Sequence, residues 1–433
     1  MVSIILTLIV IGILVTVHEG GHFIAARSFG VRVEKFSIGF GKALYSFTKG
    51  QTEYVIALIP LGGFVKMKGE DPDLEDKSTD SYMGKAWYKR AIIAFAGPFS
   101  NFIFALIIFI LTFMIGQTIE DQYPVIGKIG TQYQSEFHLN DRITTVNGKT
   151  VRGWNDVALA ANDKSPNTFR ISRDQFKLEI KTPPISKATW FEDILPLVTT
   201  RIGDVTPGMP AYRAGLKSGD IILQVDSIKV HNWYEMRENI INQKASSVLL
   251  TIQRGNQIYH KKLDLDVNVL EQGSKMIGIT QYLPLHYTQR ASVPEAIRSG
   301  VLSTAGFIAL NYIAFYKLLN KPEELKKNIG GPVMLVTMSQ QSAKKGFDSI
   351  LLFIASISII LMIMNLLPIP ILDGGHIFFC IIEGIRGKAL SLKTQIILQQ
   401  IGLTILVFLM LYGFYADFSR IFNRALSLHN FNP

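Results

Sequence analysis

Apolar residues in this chain come in two arrangements. Four stretches, Met1–Ala25, Ile92–Ile115, Ile350–Leu372 and Ile396–Tyr415, are almost continuously apolar. Each is long enough to cross a hydrocarbon core of about 30 Å as a helix. Between the second and third the pattern changes to short alternating runs broken at Asn147-Gly148 and Asp226-Ser227, the period of half-buried strands joined by tight turns. Two of these stretches match. Asp141 precedes Trp154 and Asp220 precedes Trp233 by the same thirteen residues, Val146 aligns with Val225, and Val151 aligns with Val230. The pattern predicts a polytopic α-helical membrane protein with four transmembrane helices, carrying a small β-rich module made twice.

Composition agrees. Over 433 residues the chain is 48% hydrophobic with a mean hydropathy of +0.25, more apolar than a soluble protein of this size. The net charge of +10 is spread around the spans with no aromatic-interleaved basic patch, so nucleic acid is not an expected partner. The single cysteine, Cys380, rules out internal disulfides and a cysteine-rich zinc site. The first apolar run lacks a basic n-region and exceeds signal-peptide length, so it reads as a retained transmembrane helix.

Charge also sets orientation. No Lys or Arg precedes His18, whereas Arg27, Arg32, Lys35, Lys42, Lys85, Lys89 and Arg90 lie between the first two spans. The positive-inside rule puts that loop in the cytoplasm and the region from Gly116 to about Ser349 outside. Ser292 to Asn320 is apolar too, but a single crossing there would reverse the third span. It is expected to be an amphipathic helix on the outer surface. Gly330-Gly331-Pro332 should break any helix before the segment that follows, which is expected to brace the entrance.

The first span ends in His18-Glu19-Gly20-Gly21-His22. Ionisable groups in lipid cost several kcal/mol, so they need a partner or a purpose. On a helix, positions i and i+4 share a face, so both imidazoles reach one ion. Glu19 points roughly 100° away, within reach of a water activated by that ion. This is the zinc-hydrolase spacing, in which three protein ligands leave one position open. The other polar intrusion is NLLPIPILDGGH, Asn365 to His376. Asp373 is the expected third ligand, with the alternative of a helix cap, and His376 is a rival ligand.

HEGGH, SIGFGKALY, IPLGGFVKMKGE, AGPFSNFIFA and NLLPIPILDGG, in this order, resemble the site-2 protease family of intramembrane zinc metalloproteases across nearly the whole chain. AGLKSGDIILQVDSIKV in the second repeat resembles PDZ domains of bacterial envelope proteases; the first repeat lacks the Ala-Gly-Leu element. The family resemblance implies that His18, His22 and Asp373 bind Zn²⁺, that Glu19 is the catalytic base of a zinc metalloendopeptidase, and that Asn365, with Pro368 and Pro370, contacts substrate. Gln51 to Lys68 reads as strand, Pro-Gly-Gly turn, strand, and the resemblance implies a membrane-reentrant hairpin there. Its edge, with Gly62, Gly63 and Phe64, would bind unwound substrate. Gly20 departs from the family, where a larger residue is common.

The expected organisation is residues 1–116 (two spans and a hairpin at about 30–68), 117–200 and 201–285 (two PDZ domains), 286–348 (outer-surface helices) and 349–433 (two spans). The resemblance implies a multi-pass protein of a bacterial inner membrane with periplasmic PDZ domains. Its implied substrates are single-span membrane proteins trimmed on the outer side, such as an anti-sigma factor, and remnant signal peptides, cut in an envelope stress response. Two other classes compete. A membrane-anchored PDZ scaffold with a structural zinc site would fill all four positions. A metal transporter would line several spans with polar residues, which these spans lack.

Overall fold

A computed structural model describes residues 2–70, 76, 78–185, 193–206, 209–242, 245–265, 277–320 and 331–429. The chain divides into two compact units, Met1–Gln117 with Gln289–Arg420, and Thr118–Thr288 with Ile421–Pro433.

The first unit is helical. Helix α1 (Val2–Ser28) is followed by strands β1 (Val33–Lys49) and β2 (Thr52–Met67), then by α2 (Trp87–Ile115). After the second unit come α3 (Val293–Asn320), α4 (Pro332–Lys345), α5 (Phe347–Asn365), α6 (Asp373–Arg386) and α7 (Leu392–His429). Large apolar side chains such as Ile9, Phe95, Ile107 and Phe408 stand exposed on these helices. In water such a surface would be a liability, whereas lipid is its natural solvent. This is a membrane protein.

Five helices among the described residues are long and apolar enough to cross a membrane. Four coincide with the expected spans. The fifth, within α3, is the one that the sequence reading placed on the outer surface. It starts beside the end of α2, where the Ala291 N–H donates to the Phe113 carbonyl at 3.0 Å. Its first half then runs back along α2. A Cβ on Gly300 would lie 2.5 Å from the Ile110 side chain, and Phe307 and Ile308 join a cluster with Ala105, Phe109, Ala355 and Ile359. The small face that makes this packing possible, with Ala296 and Thr304 buried, has no periodic signature in the sequence strong enough to announce it.

Small residues also bring α1 and α2 together. A Cβ on Gly21 would lie 2.2 Å from the Ala96 carbonyl, so the backbones are in direct contact, as small-residue packing in membranes permits. The Ser100 hydroxyl donates to the Val17 carbonyl at 2.8 Å, and the Ser358 hydroxyl ties α5 to the Asn101 carbonyl of α2 at 2.8 Å. Arg90 pairs with Glu383, fixing α6 against the start of α2. Helix α4 begins one residue after Gly331, in line with the expected break; residues 328–330 of that segment lie outside the described residues. Its free N–H groups are capped by the buried Asp417 of α7, which accepts from Gly331 at 3.1 Å and Val333 at 2.9 Å.

The hairpin reverses at Gly50-Gln51, with Gly50 at φ 65°, and each long arm also folds back on itself. Within β2 the chain reverses between Ile56 and Gly63, where the Pro-Gly-Gly turn was expected, since Glu53–Ile56 runs parallel to Lys35–Ile38 and Gly63–Lys66 antiparallel to it. The bend in β1 was not expected and has a physical cause. Gly39 (φ 94°) and Gly41 (φ 86°) bend β1 where a side-chain-bearing residue would be strained. Lys35 to Ile38 are thereby flanked on one side by Gly63–Lys66 and on the other by Glu53–Ile56. Gly63–Met67 is left as an edge segment.

The second unit bears out the repeat. Strands Arg142–Val146, Lys149–Thr150, Asn167–Arg173 and Phe176–Thr182 form a four-stranded sheet. Ile221–Val225, Ile228–Lys229, Ser247–Arg254 and Gln257–Asp264 form a second one with the same strand order. Val146 and Val225 are both fully buried, as the alignment requires. Asn147 and Asp226 both take φ 52° at the equivalent turn. Asp141 pairs with Arg173 at 2.8 Å, and Asp220 pairs with Arg254 at 2.7 Å. Burial raises the Asp220 carboxyl, but the Arg254 bond, the Lys217 N–H and the charges of both residues together hold the group below its ordinary value.

Candidate active site

Helix α1 presents His18 and His22 from one face. The Nδ1 of His22 lies 2.8 Å from the Ile93 carbonyl of α2. A carbonyl only accepts, so Nδ1 carries the proton and Nε2 keeps its lone pair. That Nε2 is 3.3 Å from the Nε2 of His18. Asp373, the first residue of α6, brings Oδ2 to 3.1 Å from His18 Nε2 and Oδ1 to 3.4 Å from His22 Nε2. Ligand atoms of the three residues all lie within 4.8 Å of one another.

The chain reaches this arrangement through a tight reversal between α5 and α6. A Cβ on Gly374 or Gly375 would lie 2.3 Å from the carbonyl oxygens of Leu367 or Ile369, so only glycine lets the returning backbone close. The cap of α6 is Leu372, and the Asp373 carboxylate turns toward the histidines instead of its own helix. His376 stays outside the cluster. It lines the neighbouring cavity and packs edge-on against Phe379, with ring centroids 6.4 Å apart.

Does a metal fit? Asp373 Oδ2 is buried without a hydrogen bond, although an imidazole nitrogen stands beside it. Lone pairs of nitrogen and carboxylate oxygen facing each other in a dry site repel unless a cation sits among them. Two imidazoles and one carboxylate are also a donor set of hydrolytic zinc, with a fourth position left open. The residues fit the ion.

Glu19 borders two cavities. One, of about 520 Å³, is shared with His18, His22, Phe64, Arg90 and His376. The other, of about 480 Å³, is shared with Val15, Phe40, Gly62, Gly63 and Asn365. The edge segment passes close beside Glu19: a Cβ on Gly63 would lie 3.2 Å from Glu19 Cγ. Asn365 brings its amide nitrogen to 3.5 Å from His18 Nε2. Gly62, Gly63, Phe64 and Asn365 therefore gather at the site. Pro368 and Pro370 line neither cavity; they sit in the reversal, where Pro370 lies against Gly375 and Gly402 and their fixed φ shapes the turn. Gly20 faces open space, with nothing within 4 Å of a Cβ there, so a larger side chain would fit.

Two residues of the site escaped the sequence reading. A Cβ on Gly97 would lie 2.2 Å from His22 Nε2, and Asn101 is fully buried with its side-chain nitrogen 3.2 Å from His18 Nδ1. They stand four residues apart on α2, and the signal was there. A buried Asn in an apolar helix asks for a partner.

Comparison with known proteins points the same way. The family model described as peptidase family M50 matches residues 6–409. The chain is 34% identical to protease RseP of Yersinia pestis, over 96% of this chain and 98% of that one. It is also 34% identical to the regulator of sigma-E protease RseP of Escherichia coli (strain K12), with the same coverage. A Neisseria meningitidis protein bearing a zinc metalloprotease name is 32% identical over 94% of this chain and 97% of its own. Among solved structures, a PDZ domain of the SdrC-like protein of Listeria monocytogenes matches 20% of this chain and 85% of its own at 22% identity, with a TM-score of 0.17. With a family model matched along most of its length and relatives of this identity from end to end, the chain belongs to peptidase family M50, the site-2 type of intramembrane metalloprotease.

Proposed function

We propose that His18, His22 and Asp373 hold one zinc ion and that Glu19 moves the proton in hydrolysis of a peptide bond inside the membrane. The observation that most supports this reading is the convergence of the three ligand groups from α1 and α6 within 4.8 Å, beside Glu19. Zinc bound there supplies a Lewis acid that makes water nucleophilic near neutral pH. Glu19 accepts the proton of the attacking water and passes it to the leaving amine nitrogen. The Asn365 amide donates to the carbonyl oxygen as negative charge builds on it.

A helical substrate poses a second problem. Unwinding it in lipid strands backbone polar groups at a cost of several kcal/mol each, so the enzyme must offer replacement bonds. The edge segment Gly63–Met67 supplies them by strand pairing, with Gly62, Gly63 and Phe64 along the substrate path. Pro368 and Pro370 act by holding the α5–α6 reversal beside it.

We place the protein in a bacterial inner membrane with four crossings, α3 lying along α2 without completing a fifth. Contact between Asp373 and His18 requires an even number of crossings between α2 and α5, and the 14 residues of α4 reach only about 21 Å. The repeated modules, residues 117–200 and 201–285, are PDZ domains on the periplasmic side that screen out substrates with bulky outer domains. Substrates are single-span proteins already trimmed on that side, an anti-sigma factor foremost given the sigma-E regulators among the relatives, and remnant signal peptides.

The test is reconstitution of the full chain in liposomes with a single-span substrate. Cleavage is expected to stop with a zinc chelator and return on adding zinc. Cleavage indifferent to chelation would refute the reading, and a scaffold with structural zinc would cleave under neither condition.

A further inference from the structure

Helix α2 gives each histidine something to lean on. His22 has the Ile93 carbonyl. His18 has only the carboxamide of Asn101 at its Nδ1 among the described hydrogen bonds, at 3.2 Å from the side-chain nitrogen. Asn101 is wholly buried, its backbone carbonyl is held by Ser358, and its Oδ1 has no hydrogen-bond partner. A buried carboxamide oxygen left unpaired is costly, so its presence calls for a reason.

The nitrogen and oxygen of a carboxamide have nearly the same shape and exchange places by a half-turn. A histidine that ligates through Nε2 carries its proton on Nδ1 and needs an acceptor there. With the oxygen turned toward His18, that need is met at the distance already present. The arrangement then copies the one at His22, an oxygen of α2 receiving Nδ1–H and leaving Nε2 free for the ion. Such partners fix ring orientation and raise ligand basicity.

We infer that Asn101 is a positioning residue that accepts the Nδ1 proton of His18 and so aims its Nε2 at the metal. The inference rests on the zinc reading above. It is tested by chelator competition for zinc, and by the visible spectrum of the cobalt-substituted protein, on the full chain as wild type, Asn101→Asp and Asn101→Leu. Asp keeps an acceptor oxygen in place, so zinc affinity should equal or exceed wild type and the cobalt bands should be retained. Leu keeps the volume and removes the acceptor, so affinity should fall about 10–100-fold with shifted cobalt bands. A purely packing role predicts the reverse order, since Leu suits an apolar helix better than Asp. Leu binding as tightly as wild type would overturn the inference. So would Asp weakening zinc tenfold, a result that decides the matter even should the Leu variant not accumulate. A wild-type chain that takes up no zinc overturns the zinc reading as well, and the wild-type arm alone reveals it.

Discussion

Glu19→Gln is expected to leave zinc binding unchanged while cleavage of a single-span substrate falls about 10²–10⁴-fold, the usual worth of a positioned general base. The two side chains have the same size, so the Gly63 backbone that passes beside Glu19 need not move. Glu19 lies on α1 between the histidines but outside the ligand cluster, so the ion does not depend on it. What glutamine cannot do is take a proton. The loss should therefore appear in kcat with KM nearly unmoved, as for an interaction made only in the transition state. Metal analysis beside steady-state cleavage checks both halves, and cleavage close to wild type would end the assignment of Glu19 as base.

Gly97→Ala is expected to be as damaging as removing His22. The added methyl would stand 2.2 Å from His22 Nε2 and 2.6 Å from Cε1, far inside any tolerated contact. The helices cannot part to make room without breaking the backbone contact at Gly21 and the Ser100–Val17 bond. The imidazole must swing out, and zinc affinity should drop by two orders of magnitude or more while α2 itself gains up to about 1 kcal/mol in helix propensity. Gly20→Ala is the control. Its Cβ meets nothing within 4 Å, so it should keep zinc and activity. Equal zinc content in the two variants would show that Gly97 does not make room for His22.

The parts of this fold that could be read in the sequence were those with a long or strict signature. Four continuous apolar runs appear as four helices, and the spacing of Asp141 to Trp154 and of Asp220 to Trp233 reappears as two sheets with matching strand order. At the site, His18, His22 and Asp373 were legible because ionisable groups in lipid are rare enough to stand out. What escaped depends on three-dimensional closeness. The Pro-Leu-Gly-Gly turn was legible, but not the bend at Gly39 and Gly41 that sets Lys35–Ile38 between the two arms this turn joins. Helix α3 was assigned to the outer surface on topology, since a single crossing there would reverse the third span; its packing along α2 was not legible, because the stripe that makes it is Ala296, Gly300 and Thr304, which carry little hydrophobic signal. Gly97 and Asn101 lay within a stretch valued for its resemblance, and their contact with the histidines emerges only once α1 and α2 pack.

The most direct test of the account is the zinc bound per chain in wild type, Asp373→Ala and His376→Ala, measured by metal analysis of the purified full-length protein. The account predicts one zinc in wild type and in His376→Ala, and its loss in Asp373→Ala. Full zinc in Asp373→Ala, or its loss in His376→Ala alone, would contradict it.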